Sequence, residues 1–189
     1  MAYLNIAAIR PCTEAEGPGK RFAIWCQGCL RRCIGCCNPH MQPIEHRTLV
    51  SVDNLFELIK KHNQIDKIEG ISLIGGEPVL QAEGASFLAE KCQEDGISVI
   101  LFTGYKYEDL ITSKDGNIIR LLNNVDIIID GEYKQNEIDT ERDWVGSCNQ
   151  NVIYLSERYP KGIEYKKRVH STEICITNNK LTINGWPII

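Results

Sequence analysis

From residue 20 onward, short apolar runs alternate with segments of helical period. Phe22 to Gln27 reads as a strand, with Phe22, Ile24 and Cys26 on one face. Ser51-Val52-Asp53-Asn54 offers an N-cap to a helix reaching about His62, with Val52, Leu55, Phe56 and Ile59 along one side. Gly70 to Ile74 is a compact apolar run closed by Gly75-Gly76, the pattern of a buried strand. Val79 to Glu94 reads as a helix through Leu80, Phe87, Leu88 and Cys92, stopped at Gly96. Ile97 to Phe102 is the next strand, ended by Thr103-Gly104. Helices around Tyr107 to Ile111 and Ile118 to Leu122 lead to a strand from Val125 to Ile129, closed by Asp130-Gly131.

Near-continuous apolar strands between helices predict an α/β fold whose parallel sheet is covered on both faces. With 189 residues the chain is short for a complete eight-unit barrel of ~250 residues, so a partial (β/α) barrel or an open sheet is expected. The last quarter changes character. Val152 to Leu155, Ile163 to Val169, Glu173 to Thr177 and Leu181 to Asn184 read as short strands, with Asn178-Asn179 as a hairpin turn. The expectation is one domain over 1–189, with a core from about 20 to 155 and a small C-terminal β extension from about 156 to 189.

Composition narrows the function class. Hydrophobic residues at 43% and charged residues at 24% are an ordinary globular balance. A net charge of −4 gives no footprint for nucleic acid, and Lys166-Lys167-Arg168 reads as a solvated face. No apolar run approaches the ~18 residues of a membrane span, and Met1 to Arg10 lacks the features of a signal peptide. The nine cysteines are an odd number, and five fall between Cys26 and Cys37. That clustering predicts a reduced cytoplasmic protein with a metal site, not a disulfide scaffold.

The central segment reads Cys26-Gln27-Gly28-Cys29-Leu30-Arg31-Arg32-Cys33-Ile34-Gly35-Cys36-Cys37-Asn38. Thiolates suit zinc and iron–sulfur clusters. Cys29, Cys33 and Cys36, at C-x3-C-x2-C, can wrap one 4Fe–4S cluster and leave its fourth iron open. Cys26 adds a C-x2-C step, so four cysteines could instead close a zinc site or a fully ligated electron-transfer cluster. Against that, Cys26 falls on the apolar face of a strand, where a buried thiol acts as a small hydrophobe. Downstream, Ile74-Gly75-Gly76-Glu77-Pro78 closes a strand at the edge where α/β sheets bind ligands. Glycines there let backbone carbonyls approach a ligand, and Glu77 can pair with an ammonium group.

The cysteine loop after one strand and Gly-Gly-Glu-Pro after the next resemble the radical S-adenosylmethionine (SAM) superfamily. Gly17-Pro18-Gly19-Lys20-Arg21 is similar to the Gly-Pro-Gly-x-Arg loop of activating enzymes for glycyl radical enzymes. Gln27 through Asn38 and Gly75 through Gln81 are similar to pyruvate formate-lyase activase. Phe102-Thr103-Gly104-Tyr105, Asp130-Gly131, Gly146-Ser147-Cys148-Asn149-Gln150 and Gly35 resemble the anaerobic ribonucleotide reductase activating proteins.

The resemblance implies a 4Fe–4S cluster on Cys29, Cys33 and Cys36, and reductive cleavage of SAM to a 5′-deoxyadenosyl radical. It implies SAM contacts from Gly35, Cys37 and Asn38, from Gly75, Gly76, Glu77 and Pro78, and from Thr103, Gly104 and Asp130. No side chain is expected to act as a catalytic acid or base, because the cofactor carries the chemistry. The implied partners are a glycyl radical enzyme as protein substrate and an electron donor such as flavodoxin or ferredoxin. Other readings are a radical SAM enzyme acting on a different protein, peptide or metabolite, and a non-catalytic four-cysteine module. Three departures stand out, the first being Cys26 at a position usually small or apolar in the family. Cys37 replaces a usual aromatic or histidine. Phe102 replaces the aspartate that pyruvate formate-lyase activase uses for a monovalent cation, so no such cation is expected.

Overall fold

The computed structural model describes residues 1–166, 171–177 and 180–185. A seven-stranded sheet runs in the order β3-β1-β2-β4-β5-β6-β7. Its strands are β1 (Tyr3–Thr13), β2 (Arg21–Cys26), β3 (Thr48–Ser51), β4 (Gly70–Gly75), β5 (Ser98–Phe102), β6 (Ile127–Asp130) and β7 (Asn151–Tyr154). The four central strands β2, β4, β5 and β6 are parallel, while β1, β3 and β7 pair antiparallel at the flanks. The result is a mixed α/β fold around a mostly parallel sheet. A separate hairpin of β8 (Thr172–Thr177) and β9 (Lys180–Gly185) follows. The Asn178-Asn179 turn, and Lys167 and Arg168, lie outside the described residues.

Alternation along the parallel strands sorts side chains between two environments. Phe22, Ile24 and Cys26 of β2, Ile71 and Leu73 of β4, Val99 and Leu101 of β5 and Ile128 of β6 enter one large core. Into it pack α1 (Val52–Asp66) through Val52, Leu55 and Ile59, α2 (Ala82–Glu94) through Ala85, Leu88, Ala89 and Cys92, α3 (Tyr107–Ile111) through Leu110, and α4 (Gly116–Leu122) through Leu121 and Leu122. Full burial of each large aliphatic contributes about 1.5–3 kcal/mol. On the opposite face Ala23 and Trp25 join Met41, and Ile100, Ile127 and Ile129 join Val145 and Tyr159. Both faces of the parallel strands are covered, as expected, but unequally: the large helix-packed core occupies one face, and loops with two small clusters occupy the other.

Local signals explain the element ends. Ser51 Oγ accepts the Asn54 N–H at 3.3 Å and starts α1, which runs past His62 until Lys67 turns left-handed. The helix expected from Val79 opens instead with a 3-10 turn at Pro78–Gln81, because the Glu77 carboxylate takes the Val79 N–H. The expected strand from Ile163 is a 3-10 turn at Ile163–Tyr165, set by left-handed Gly162.

At the N-terminal end of the parallel strands Arg21 is fully buried. Its guanidinium donates to Ser72 Oγ at 3.3 Å, Ser98 Oγ at 2.6 Å, Tyr159 OH at 2.9 Å and the Ile71 carbonyl. One cation thus ties β2, β4 and β5 to the segment after β7. Tyr159→Phe removes one acceptor from this buried charge without opening a cavity. The expected loss is about 1.5–3 kcal/mol, read as a lower urea midpoint at unchanged m-value.

Candidate active site

The C-terminal ends of β2, β4 and β5 open onto one cleft of about 1010 Å³. Its floor is built by a backbone junction. Gly76 N–H donates to the Cys26 carbonyl, and Glu77 N–H to the Gly28 carbonyl, both at 2.8 Å. The approach is too close for side chains. A Cβ on Gly75, whose φ is +103°, would sit 2.7 Å from Cys26 N, and one on Gly76 would sit 2.4 Å from the Gly28 carbonyl oxygen. The cysteine loop is thereby fused to the end of β4.

Glu77 is 1% exposed and lies at the centre of this floor. Its Oε1 accepts from Val79 N–H at 3.0 Å and Thr103 Oγ1 at 2.9 Å, and its Oε2 from Gly104 N–H at 2.8 Å. Burial pushes its pKa up to about 7, against the lowering effect of those donors and of Arg31. Arg31 reaches across from the cysteine loop, 2.9 Å from Glu132 and with its guanidinium 5.2 Å from the centre of the Tyr105 ring.

The loop brings Cys29, Cys33, Cys36, Cys37 and Asn38 to the cleft wall. The Cys37 thiol, hydrogen-bonded to the Cys36 sulfur, pulls Cys36 down to about 6 and stays protonated itself. The Asn38 N–H adds a contact to Cys36 Sγ at 3.4 Å. Cys26 is placed elsewhere. It is fully buried in the helix-side core, and burial raises its pKa to about 12. A four-cysteine zinc site would need that sulfur at the ion, about 2.3 Å away and ionised. Cys29, Cys33 and Cys36 on one cleft wall supply the soft sulfur donors of a cluster that takes one thiolate per iron.

The other expected site residues divide. Gly75, Gly76, Glu77, Thr103 and Gly104 line the cleft with the cysteines. Gly35, Pro78 and Asp130 are not among its lining residues. Gly35 lies against Gln135, and Pro78 is buried at the start of its 3-10 turn. Asp130 is used by the fold: Oδ2 accepts the Tyr107 N–H at 2.7 Å, and Oδ1 accepts Asn151 Nδ2 at 2.8 Å. The Gly146–Gln150 loop is held by its own side chains. Gln150 Oε1 takes the N–H groups of Gly146 and Ser147, both at 3.0 Å, and Gln150 Nε2 donates to the Gly131 carbonyl at 2.8 Å. Sequence reasoning passed over Glu16, Arg31, Trp144 and Asn184, which also line the cleft. Arg31 was legible from its place between ligand-type cysteines, whereas nothing in the sequence marks Trp144, which adopts φ +64°.

A three-cysteine loop locked to a glycine-rich strand end, above a buried carboxylate, defines an iron–sulfur enzyme of the radical SAM class. Residues 15–153 match the family described as the 4Fe-4S single cluster domain. The chain is 33% identical over 153 residues to the anaerobic ribonucleoside-triphosphate reductase-activating protein of Enterobacteria phage T4, covering 79% of this chain and 93% of that protein. It is 29% identical over 155 residues to the protein of that name from Vibrio cholerae, covering 79% and 97%. It is 25% identical over 185 residues to the pyruvate formate-lyase 1-activating enzyme of Escherichia coli, covering 96% and 69%. The chain belongs to the 4Fe-4S single cluster domain family, among the radical SAM activating enzymes, whose cofactors are a 4Fe–4S cluster and SAM.

The raised pKa of Glu77 has a consequence for stability. Below its ordinary value of 4.5 the carboxyl is protonated folded and unfolded, and above about 7 it is ionised in both. Between these values the unfolded chain releases its proton first, so stability falls as pH rises. Buried Glu16, also raised to about 7, acts in the same direction. In Glu77→Gln the decline in urea midpoint across this window becomes shallower, leaving the share of Glu16.

Proposed function

We propose that Cys29, Cys33 and Cys36 hold the 4Fe–4S cluster, and that the enzyme installs a glycyl radical on an anaerobic ribonucleoside-triphosphate reductase. The observation that carries this reading is the meeting of those thiols with Gly75, Gly76 and Glu77 in one cleft. The reductase is favoured as target because two of the relatives named above are activating proteins for it and match over nearly their whole length.

Bound together, cluster and SAM supply a one-electron cleavage that yields methionine and a 5′-deoxyadenosyl radical for hydrogen abstraction. The protein's part is to bind and orient. Glu77, fixed by its three donors, receives the SAM ammonium, and Gly75 and Gly76 leave room beside it. Cys37 and Asn38 follow the third ligand and flank the adenine, while Thr103 and Gly104 line the nucleoside and methionine. Gly35, Pro78 and Asp130, expected as further SAM contacts, lie outside the cleft lining, and Asp130 supports the site through its carboxylate, which fixes Tyr107 and Asn151. A cleft of about 1010 Å³ is at the upper end of ligand pockets, ~300–1,000 Å³, and leaves space beside SAM for a segment of protein substrate.

The same reading takes the sheet as the wall of a partial (β/α) barrel, with 1–189 as one domain and the β8–β9 hairpin as its extension. Nine cysteines, all free thiols, support a reducing compartment, the cytoplasm. No helix among the described residues is long and apolar enough to cross a membrane. The electron comes from a small carrier of the flavodoxin or ferredoxin kind.

Alanine at Cys29, Cys33 or Cys36 is expected to abolish both iron binding and SAM cleavage, whereas Cys26→Ala keeps its iron. Iron and sulfide analysis of anaerobically purified protein distinguishes these outcomes. Electron paramagnetic resonance after incubation with reductant, SAM and reductase tests the target. Cleaved SAM without a glycyl radical on the reductase would reject that target while leaving the enzyme class intact.

A further inference from the structure

The cysteine loop divides its residues by turn. Cys29, Arg31 and Cys33 line the cleft, while Leu30, Arg32 and Ile34 do not. Leu30 is 59% exposed and Ile34 is 84% exposed, and Arg32, at φ +51°, is exposed between them. Ile44, 66% exposed, ends beside Gly28 of the same loop. Arg31 is engaged with Glu132, but Arg32 forms no ion pair among the described residues. Arg47 of the same segment is paired with Glu45 at 3.0 Å, so Arg32 is the arginine of segment 28–47 outside an ion pair among the described residues, on a chain of net charge −4.

We infer that Leu30, Arg32 and Ile34 form the docking surface for an acidic one-electron carrier protein. The inference rests on the proposed cluster ligation and extends it to the route of reduction. Three arguments favour this occupant. Electron transfer weakens steeply with distance, and these residues are covalent neighbours of Cys29 and Cys33. The cleft side of the loop is committed to SAM and substrate, so a carrier has to approach from the outer side. An acidic protein is repelled by a chain of net charge −4 as a whole and is steered to the exposed charge of Arg32, which no carboxylate among the described residues pairs. A small patch suffices, because redox encounters are brief and bury less than about 1,200 Å². In the step served, the carrier loses one electron and the cluster gains it, and no bond forms between the proteins.

The test uses reconstituted full-length enzyme with flavodoxin as the probe. In Arg32→Glu and Ile34→Asp, affinity for oxidised flavodoxin, read by titration calorimetry, is expected to weaken about tenfold. SAM cleavage driven by limiting reduced flavodoxin is expected to fall about tenfold as well, while cleavage driven by dithionite stays within about twofold of wild type. Rising salt weakens flavodoxin binding of the wild type more than that of Arg32→Glu.

Unchanged affinity and flavodoxin-driven rate would overturn the inference. So would a parallel fall in the dithionite-driven rate, which would assign these residues to cluster integrity. A loss confined to glycyl radical yield on the reductase would assign the patch to the protein substrate and also overturn it. Failure of the wild type to cleave SAM with dithionite is a separate result. It would reject the enzyme reading and this inference with it.

Discussion

The structure depends on the backbone contact between the end of β4 and the turn leaving β2. Gly76 and Glu77 donate to carbonyls of Cys26 and Gly28, and no Cβ can stand between the chains there. A side chain at Gly76 would push the cysteine loop away from the sheet and remove Glu77 from its donors. The loop carries Cys29 within one residue of that junction and Cys33 within five. Its position is thus referenced to the most regular part of the fold, the parallel pairing of β2 with β4 from Arg21↔Gly70 to Cys26↔Gly75.

That pairing is anchored at both ends by buried charge. Arg21 at the N-terminal end takes its acceptors from β4, β5 and Tyr159, and Glu77 at the C-terminal end takes its donors from the residues that follow β5 and from its own turn. Neither touches an opposite charge directly, so each relies on neutral dipoles for stabilisation. Between the two, alternation sends one row of side chains into the helix-packed core and the other toward the cleft face. The one-sided helix layer leaves room on the second face for a cleft of this size.

The parallel strands, their helices and the cysteine loop at the strand end were legible because each had a local signature. Apolar runs, a serine cap and glycine stops sufficed. Cys26 was separable from its neighbours by alternation alone, and the core confirms its place. β1 escaped because Pro11 interrupts its pattern and its register shifts between Ile6 and Ala8 and again between Arg10 and Thr13, so no simple period survives. β3 is four residues at the sheet edge, too short to carry a period. Asp130 looked like a ligand for the reason that strand-end carboxylates often are. Which backbone N–H groups would meet it depends on Tyr107 and Asn151, and their positions are tertiary facts. The helix layer's restriction to one face was equally hidden, since alternation gives two faces and not what covers each.

Glu77 joins cohesion to chemistry. A carboxylate offers about four acceptor positions, and the fold's own N–H and O–H groups use three. By that count one acceptor position remains. Because burial lifts its pKa to about 7, the group is only partly ionised at neutral pH. An ammonium placed beside it favours the ionised form, which accepts most strongly from Thr103, Gly104 and Val79. Binding a cation therefore tightens the contacts that join β4 to β5. The group that would meet a cationic ligand is the one that holds the strand ends together, so under the proposed SAM contact occupancy of the cleft and rigidity of its floor rise together.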